Sequence, residues 1–168
     1  MMKILALTLV SSGALASTLL AHVDPVLVWN ASASVPIGLY AVRSIGAPTI
    51  ADLVVARPPE MLAGWLDQRG YLPSSAPLIK RVSALHGQTI CREGLDVSID
   101  GIVVAQARER DHLGRPLPAW RGCLLLHPDQ IFLLNTNEPA SLDGRYLGAF
   151  PRETVVGRAV PIWTREGD

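Results

Sequence analysis

The segment Leu78-Ile79-Lys80-Arg81-Val82-Ser83-Ala84-Leu85 puts a lysine where a β-strand carries its buried side chains. Side chains alternate faces along a strand, so Leu78, Lys80, Val82 and Ala84 share one face while Ile79, Arg81, Ser83 and Leu85 share the other. Lys80 thus lies on a face that is otherwise wholly apolar. Either its stem packs while the ammonium snorkels to water, or the amine is buried. Burial disfavours the charged form and lowers the pKa, which makes a lysine a usable general base near neutral pH.

The surrounding pattern is mostly β. Residues 50–56 are apolar and β-branched enough for a strand, and residues 77–85 form the lysine strand. In Val97-Ser98-Ile99-Asp100-Gly101-Ile102-Val103-Val104 an Asp-Gly turn between β-branched arms predicts a hairpin. Residues 123–126 and 131–134 read as paired strands around His127-Pro128-Asp129-Gln130, and residues 154–163 as a closing strand. One short helix is expected from Pro58-Pro59-Glu60 to about Gln68, with proline and an acid in its first turn and Gly70 beyond its end. Residues 24–38 read as a linker and a turn, and residues 108–121 as an exposed loop. The expected architecture is a mostly-β domain over residues 24–168 behind an N-terminal hydrophobic segment, residues 1–23.

In that segment Met1-Met2-Lys3 is followed by 20 residues whose one ionisable side chain is His22, at the far end. Two readings compete. The run is long enough to cross about 30 Å of hydrocarbon, with Lys3 on the cytoplasmic side. Alternatively, residues 4–13 are the apolar region of a secretory signal and Ala14-Leu15-Ala16 supplies small residues for its cleavage. Either places the rest of the chain outside the cytoplasm. In an oxidising compartment the even cysteine count favours a Cys91–Cys123 disulfide over two buried thiols, and their spacing fits neither a redox motif nor a metal pair. With 15 Lys+Arg against 15 Asp+Glu, a nucleic-acid partner has no electrostatic support.

A candidate partner for Lys80 lies in Ser32-Ala33-Ser34-Val35-Pro36-Ile37-Gly38. Val35, preceding Pro36, is pushed to extended geometry, and Gly38 permits a tight bend, so Ser34 is presented on a defined turn. The bland alternative is an ordinary serine before a proline turn. Ser32 falls on the same side of an extended segment, where its hydroxyl with a backbone N–H would complete an oxyanion hole. A third cluster is Ser141-Leu142-Asp143-Gly144-Arg145-Tyr146-Leu147-Gly148. Asp143 and Arg145 are expected to form a loop-bracing ion pair, and Ser141 to hydrogen-bond the lysine and aim its lone pair. His22, His86, His112 and His127 show no ligand spacing, and no phosphate loop or dinucleotide fingerprint is present.

These segments occur in the order of the signal peptidase I superfamily of serine peptidases. Lys80-Arg81-Val82-Ser83-Ala84-Leu85-His86-Gly87-Gln88 resembles the family's lysine box, usually Lys-Arg-Val-x-Gly-x-Pro-Gly-Asp, and residues 141–148 resemble its Ser-x-Asp-Ser-Arg-Tyr-x-Gly box. Ser34-Val35-Pro36 with Gly38-Leu39-Tyr40 resembles the nucleophile segment of the conjugal transfer branch, the TraF peptidases, rather than the Ser-Met-x-Pro of general signal peptidases. The Cys91/Cys123 pair and Gly157-Arg158-Ala159-Val160-Pro161-Ile162-Trp163 also suit that branch. Ala84, His86 and Gln88 depart from the lysine box and change the turn after the strand. Gly144 replaces a serine and leaves Ser141 as that box's hydroxyl for the lysine.

The resemblance implies a signal peptidase-like β-domain with a Ser34–Lys80 dyad and neither cofactor nor metal. It implies action in the periplasm, at or anchored in the inner membrane, on a precursor pilin or other exported protein, alongside a conjugative transfer apparatus. The acyl-enzyme would be resolved by water or by the pilin's own N-terminal amine, which gives a cyclic subunit. Three rivals remain: a general signal peptidase I, an inactive β-domain of the transfer apparatus, and a self-cleaving repressor, which the secretory segment and neutral charge oppose.

Overall fold

A computed structural model describes residues 26–165. The N-terminal hydrophobic segment, and with it the choice between anchor and cleaved signal, lies outside the described residues, as does His22. Among the described residues no helix is long and apolar enough to cross a membrane.

Two sheets make up the fold. The larger has seven strands in the order β1-β2-β11-β3-β4-β9-β10: β1 (Leu27–Asn30), β2 (Ile37–Arg43), β11 (Val155–Arg165), β3 (Leu53–Ala56), β4 (Leu78–Ala84), β9 (Gln130–Leu133) and β10 (Phe150–Pro151). The smaller is β7-β6-β5-β8, from β7 (Ile102–Gln106), β6 (Asp96–Ile99), β5 (Thr89–Glu93) and β8 (Gly122–Leu125). Among the described residues every strand pair of the two sheets is antiparallel, and the mostly-β expectation holds.

The large sheet is buried on both faces around β3 and β4. Val54, Ala56, Leu78 and Val82 pack with Ile131, Leu133 and Phe150 on one side. Val55 and Ile79 pack with Val28, Val35, Tyr40 and Ala159 on the other. This is the period of 2 expected of β4, with Lys80 on the Leu78/Val82 side and opposite Val54 in register. A third cluster joins the two sheets through Ala84, Ile90, Val97, Leu126, Phe132 and Leu134.

Helix α1 (Glu60–Gln68) buries Ala63 and Leu66 and ends where Gly70 adopts φ +68°, with Gly70 N donating to Asp67 O and Tyr71 N to Leu66 O. The Asp100-Gly101 turn has positive φ at both residues, the geometry that matches the twist of a two-residue hairpin. After β4 the chain turns at Gly87 (φ +86°), and Leu85 N donates to Gln88 Oε1 at 3.0 Å. Gln88 thus closes this turn from its own side chain.

Three local expectations are corrected. Residues 24–38 are not a linker throughout: Leu27–Asn30 is a strand paired with β2, and β2 begins at Ile37. The alternation of exposed Leu27 and Trp29 with buried Val28 and Asn30 was the available signal, obscured by its length of four residues. Strands β8 and β9 do not pair with each other. A turn closed by Gln130 N to His127 O joins them, but β8 pairs with β5 while β9 pairs with β4 and β10. Finally, a second helix, α2 (Gly144–Leu147), follows Asp143, whose carboxylate accepts from Arg145 N at 3.2 Å.

Candidate active site

Lys80 is 3% exposed. Its Nζ donates to Ser141 Oγ at 2.8 Å. Burial is the main reason its pKa falls from 10.5 to about 8; the Asp143 carboxylate pulls it up and the Arg145 guanidinium pushes it down. An amine with that pKa is partly neutral at physiological pH. Donating one N–H to Ser141 leaves the lone pair of the neutral amine to point elsewhere.

The strand alone does not hold Lys80. Asn135, just past β9 and 5% exposed, continues the ladder with its side chain: Arg81 N donates to Asn135 Oδ1 at 3.0 Å, and Asn135 Nδ2 donates to Ile79 O at 3.2 Å. These bonds clasp the backbone on either side of Lys80. Asn135 in turn rests on the third cluster, since its N–H donates to Asp143 Oδ2 (2.9 Å) and its carbonyl accepts from Arg145 Nη2 (2.7 Å). Asp143 and Arg145 form a two-pronged ion pair, Nε to Oδ1 at 2.9 Å and Nη2 to Oδ2 at 3.1 Å, with 0% and 1% exposure. A buried pair of this kind is tolerated because its remaining polar atoms are also bonded.

Helix α2 is locked from the second sheet. Arg92 of β5 donates to Arg145 O at 2.7 Å, and Trp120 Nε1 donates to Gly144 O at 2.9 Å. At Gly144 a Cβ would run into the Phe132 ring and come within 2.8 Å of Leu133 O. The serine expected from the family pattern therefore has no room here.

The Ser34 loop is built around another asparagine. Asn30, 8% exposed at the end of β1, donates from Nδ2 to the carbonyls of Ser32 (2.7 Å), Val35 (2.9 Å) and Pro36 (3.2 Å). Its Oδ1 accepts from Ser32 N (3.3 Å) and Ser32 Oγ (3.0 Å). Three acceptors on one side and two donors on the other fix the carboxamide's orientation. Ser32 Oγ lies 2.9 Å from Ser34 Oγ. Because Ser32 has spent its one hydroxyl proton on Asn30, Ser34 is the donor in that contact.

Ser34 and Lys80 line the same cavity of about 290 Å³, together with Ser32 and Ser141. Among the described residues no direct hydrogen bond joins Ser34 to Lys80; the serine proton rests on Ser32, and a turn of the hydroxyl is needed to present it to the amine. The structure thus brings Ser32, Ser34, Lys80 and Ser141 to one cavity, with Asp143 and Arg145 behind it. Cys91 and Cys123 are apart from this group. They form a disulfide between facing residues of β5 and β8. Sequence reasoning missed Asn30, Asn135 and Arg92. No motif marks them, since each acts on main-chain atoms that only the fold assembles.

Comparison with known proteins identifies the family. The family described as signal peptidase, peptidase S26, matches residues 1–164. A conjugal transfer protein TraF from Agrobacterium fabrum (strain C58 / ATCC 33970) is 34% identical over 148 residues, 80% of this chain and 81% of its own length. A plasmid transfer protein TraF from Escherichia coli is 26% identical over 146 residues, covering 80% and 81%. A signal peptidase I from Leptolyngbya laminosa is 31% identical over 114 residues, 67% of this chain and 51% of that protein. The family match spans nearly the whole sequence, and the chain belongs to the signal peptidase family, peptidase S26.

Proposed function

We propose that this chain is a serine endopeptidase with Ser34 as nucleophile and Lys80 as general base, and that it matures an exported precursor, the conjugative pilin, at the outer face of the inner membrane. The observation that carries the reading is a lysine buried to 3% exposure, its pKa lowered to about 8, lining one cavity with Ser34. Neutral Lys80 takes the Ser34 proton as Oγ attacks the scissile carbonyl, and the resulting ammonium passes that proton to the leaving amine. The Ser34 N–H and the Ser32 hydroxyl, turned away from Asn30, stabilise the oxyanion. Water, or the amino terminus of the pilin itself, then resolves the ester on Ser34.

The conjugal and plasmid transfer names of the TraF relatives support a role in conjugation, within which the pilin precursor is the proposed substrate. Trp29 and Trp163 stack at 5.9 Å and are 57% and 51% exposed, the amphipathic aromatic surface that favours a membrane interface. Mass spectrometry of a co-expressed pilin precursor tests the reading. A Ser34-dependent product one water lighter than the linear mature chain marks cyclisation, and a linear product marks hydrolysis. An exported-protein screen that yields many signal-peptide cleavages and leaves pilin uncut would overturn the pilin assignment in favour of a general signal peptidase.

A further inference from the structure

Ser34 does not sit at the end of one cleft but between clefts of different character. On the Lys80 side are the cavity of about 290 Å³, walled by Leu66, Leu72, Leu78 and Leu142, and a second of about 390 Å³ that shares Ser34, Leu72 and Lys80 with it. Beyond Ser34 lies a cavity of about 490 Å³ without Lys80, walled by the apolar Val35, Pro36 and Ile37 and by the polar Arg81, Asn135 and residues 136–138, of which Glu138 also borders the 290 Å³ cavity. The alternation of β4 explains the division: adjacent residues Lys80 and Arg81 point to opposite faces, the first buried and the second exposed.

An endopeptidase substrate extends both ways from its scissile carbonyl. With that carbonyl at Ser34 Oγ, one flank enters the leucine-walled side and the other the polar side. Arg81 and Glu138 bring opposite charges to this cleft, and among the described residues no hydrogen bond or ion pair joins the two. Glu138 Oε1 is folded back onto its own turn, accepting from Ala140 N at 2.8 Å. Arg81 spends one of its five guanidinium N–H donors on Ala51 O, at 3.1 Å. The others suit a planar, two-oxygen acceptor, which is the geometry of a carboxylate.

Building on the Ser34–Lys80 reading, we propose that Arg81 forms a carboxylate-reading subsite, so that the substrate is apolar on one flank of the scissile bond and carries Asp, Glu or a chain-terminal carboxylate on the other. The substrate class is then set by a polarity change across the cleavage site. An exposed charge-assisted pair of this kind discriminates by about 3- to 10-fold.

A proteome-derived peptide library, cut by the full chain and read by mass spectrometry, tests this directly. Ser34-dependent cut sites should be enriched in acids or chain-terminal carboxylates on one flank only. That enrichment should vanish in Arg81→Ala, invert towards Lys and Arg in Arg81→Glu, and persist in Arg81→Lys, while the apolar preference on the other flank stays. Equal profiles for wild type and Arg81→Glu, with both folded by thermal melting, would overturn the subsite. A second arm uses the Ser34→Ala protein and fluorescent peptides of leucine and alanine bearing one Glu, Gln or Lys. Tighter binding of the Glu peptide, lost on adding Arg81→Glu, supports the subsite even without any cleavage, a combination that would sink the peptidase reading alone. Equal binding of the three peptides without cleavage would sink both.

Discussion

Lys80 Nζ and Ser141 Oγ, 61 residues apart in sequence, meet at 2.8 Å in the buried interior. Beyond β9, the Asp143–Arg145 pair and Asn135 hold the segment that supplies this acceptor. The amine is therefore placed by a framework that approaches it from two sides, the clasp of Asn135 on β4 and the hydroxyl of Ser141. The nucleophile has its own support in Asn30. The two halves of the proposed dyad are thus positioned independently.

The lowered pKa of Lys80 has opposite consequences for activity and stability. The proton is bound less tightly in the folded protein than in the unfolded chain, so stability rises with pH between about 8 and 10.5, and the full cost of burying the ammonium is borne below 8. A shift of this size corresponds to about 3 kcal/mol. Lys80→Met should abolish processing yet raise unfolding stability at pH 6 by about 1–2 kcal/mol, after allowing for the lost bond to Ser141. The gain should disappear above pH 10.5, and wild-type turnover should rise through pH 8. Urea unfolding at several pH values and a pH–rate profile read both.

Ser141→Ala removes the acceptor of a buried amine. Loss of such a partner costs about 1–3 kcal/mol, or about 10- to 100-fold in rate if it falls on the chemical step. If Ser141 acts by orienting the proposed base through its bond to Lys80 Nζ, the expected signature is a lower kcat with KM little changed. Steady-state kinetics on a peptide substrate separate the two parameters.

Asn30→Asp should be more damaging than Asn30→Ala. The carboxylate would face the carbonyls of Ser32, Val35 and Pro36, which now accept from Nδ2. Alanine leaves those groups unbonded without adding repulsion. The rate of acylation at Ser34, measured by rapid quench, should fall in the order wild type, alanine, aspartate, while Lys80 and its strand stay in place by hydrogen exchange.

The Cys91–Cys123 bridge lies away from the Ser34 cavity, so it contributes stability more than chemistry. For a sequence separation of 32 residues its loss should cost about 3–4 kcal/mol. The double variant Cys91→Ser/Cys123→Ser should show that deficit in denaturant while retaining wild-type turnover at temperatures well below its own melting point.

What could be read in advance was whatever depends on local period. Lys80 stood out because it shares a face with Leu78, Val82 and Ala84 in the period of 2 of β4, and Asp100-Gly101 because positive φ at two successive residues needs those residue types. The sheet order was less accessible. His127-Pro128-Asp129-Gln130 has the composition of a hairpin turn, but a turn does not specify that both arms join one sheet. The Cys91↔Cys123 register contained the missing information, because facing cysteines require β5 beside β8. Asn30 and Asn135 were illegible for a different reason: an asparagine's role lies in the carbonyls and N–H groups brought to it by other segments, and nothing in its sequence neighbours announces them.

Trapping the acyl-enzyme tests the central claim most directly. Full-length protein mixed with its precursor substrate, quenched in acid and digested, should show the substrate's acyl group as an added mass on Ser34, located by tandem mass spectrometry, and none in Lys80→Ala. An adduct on another residue, or accumulation on Ser34 at an undiminished rate without Lys80, would contradict a dyad in which the buried lysine activates that serine.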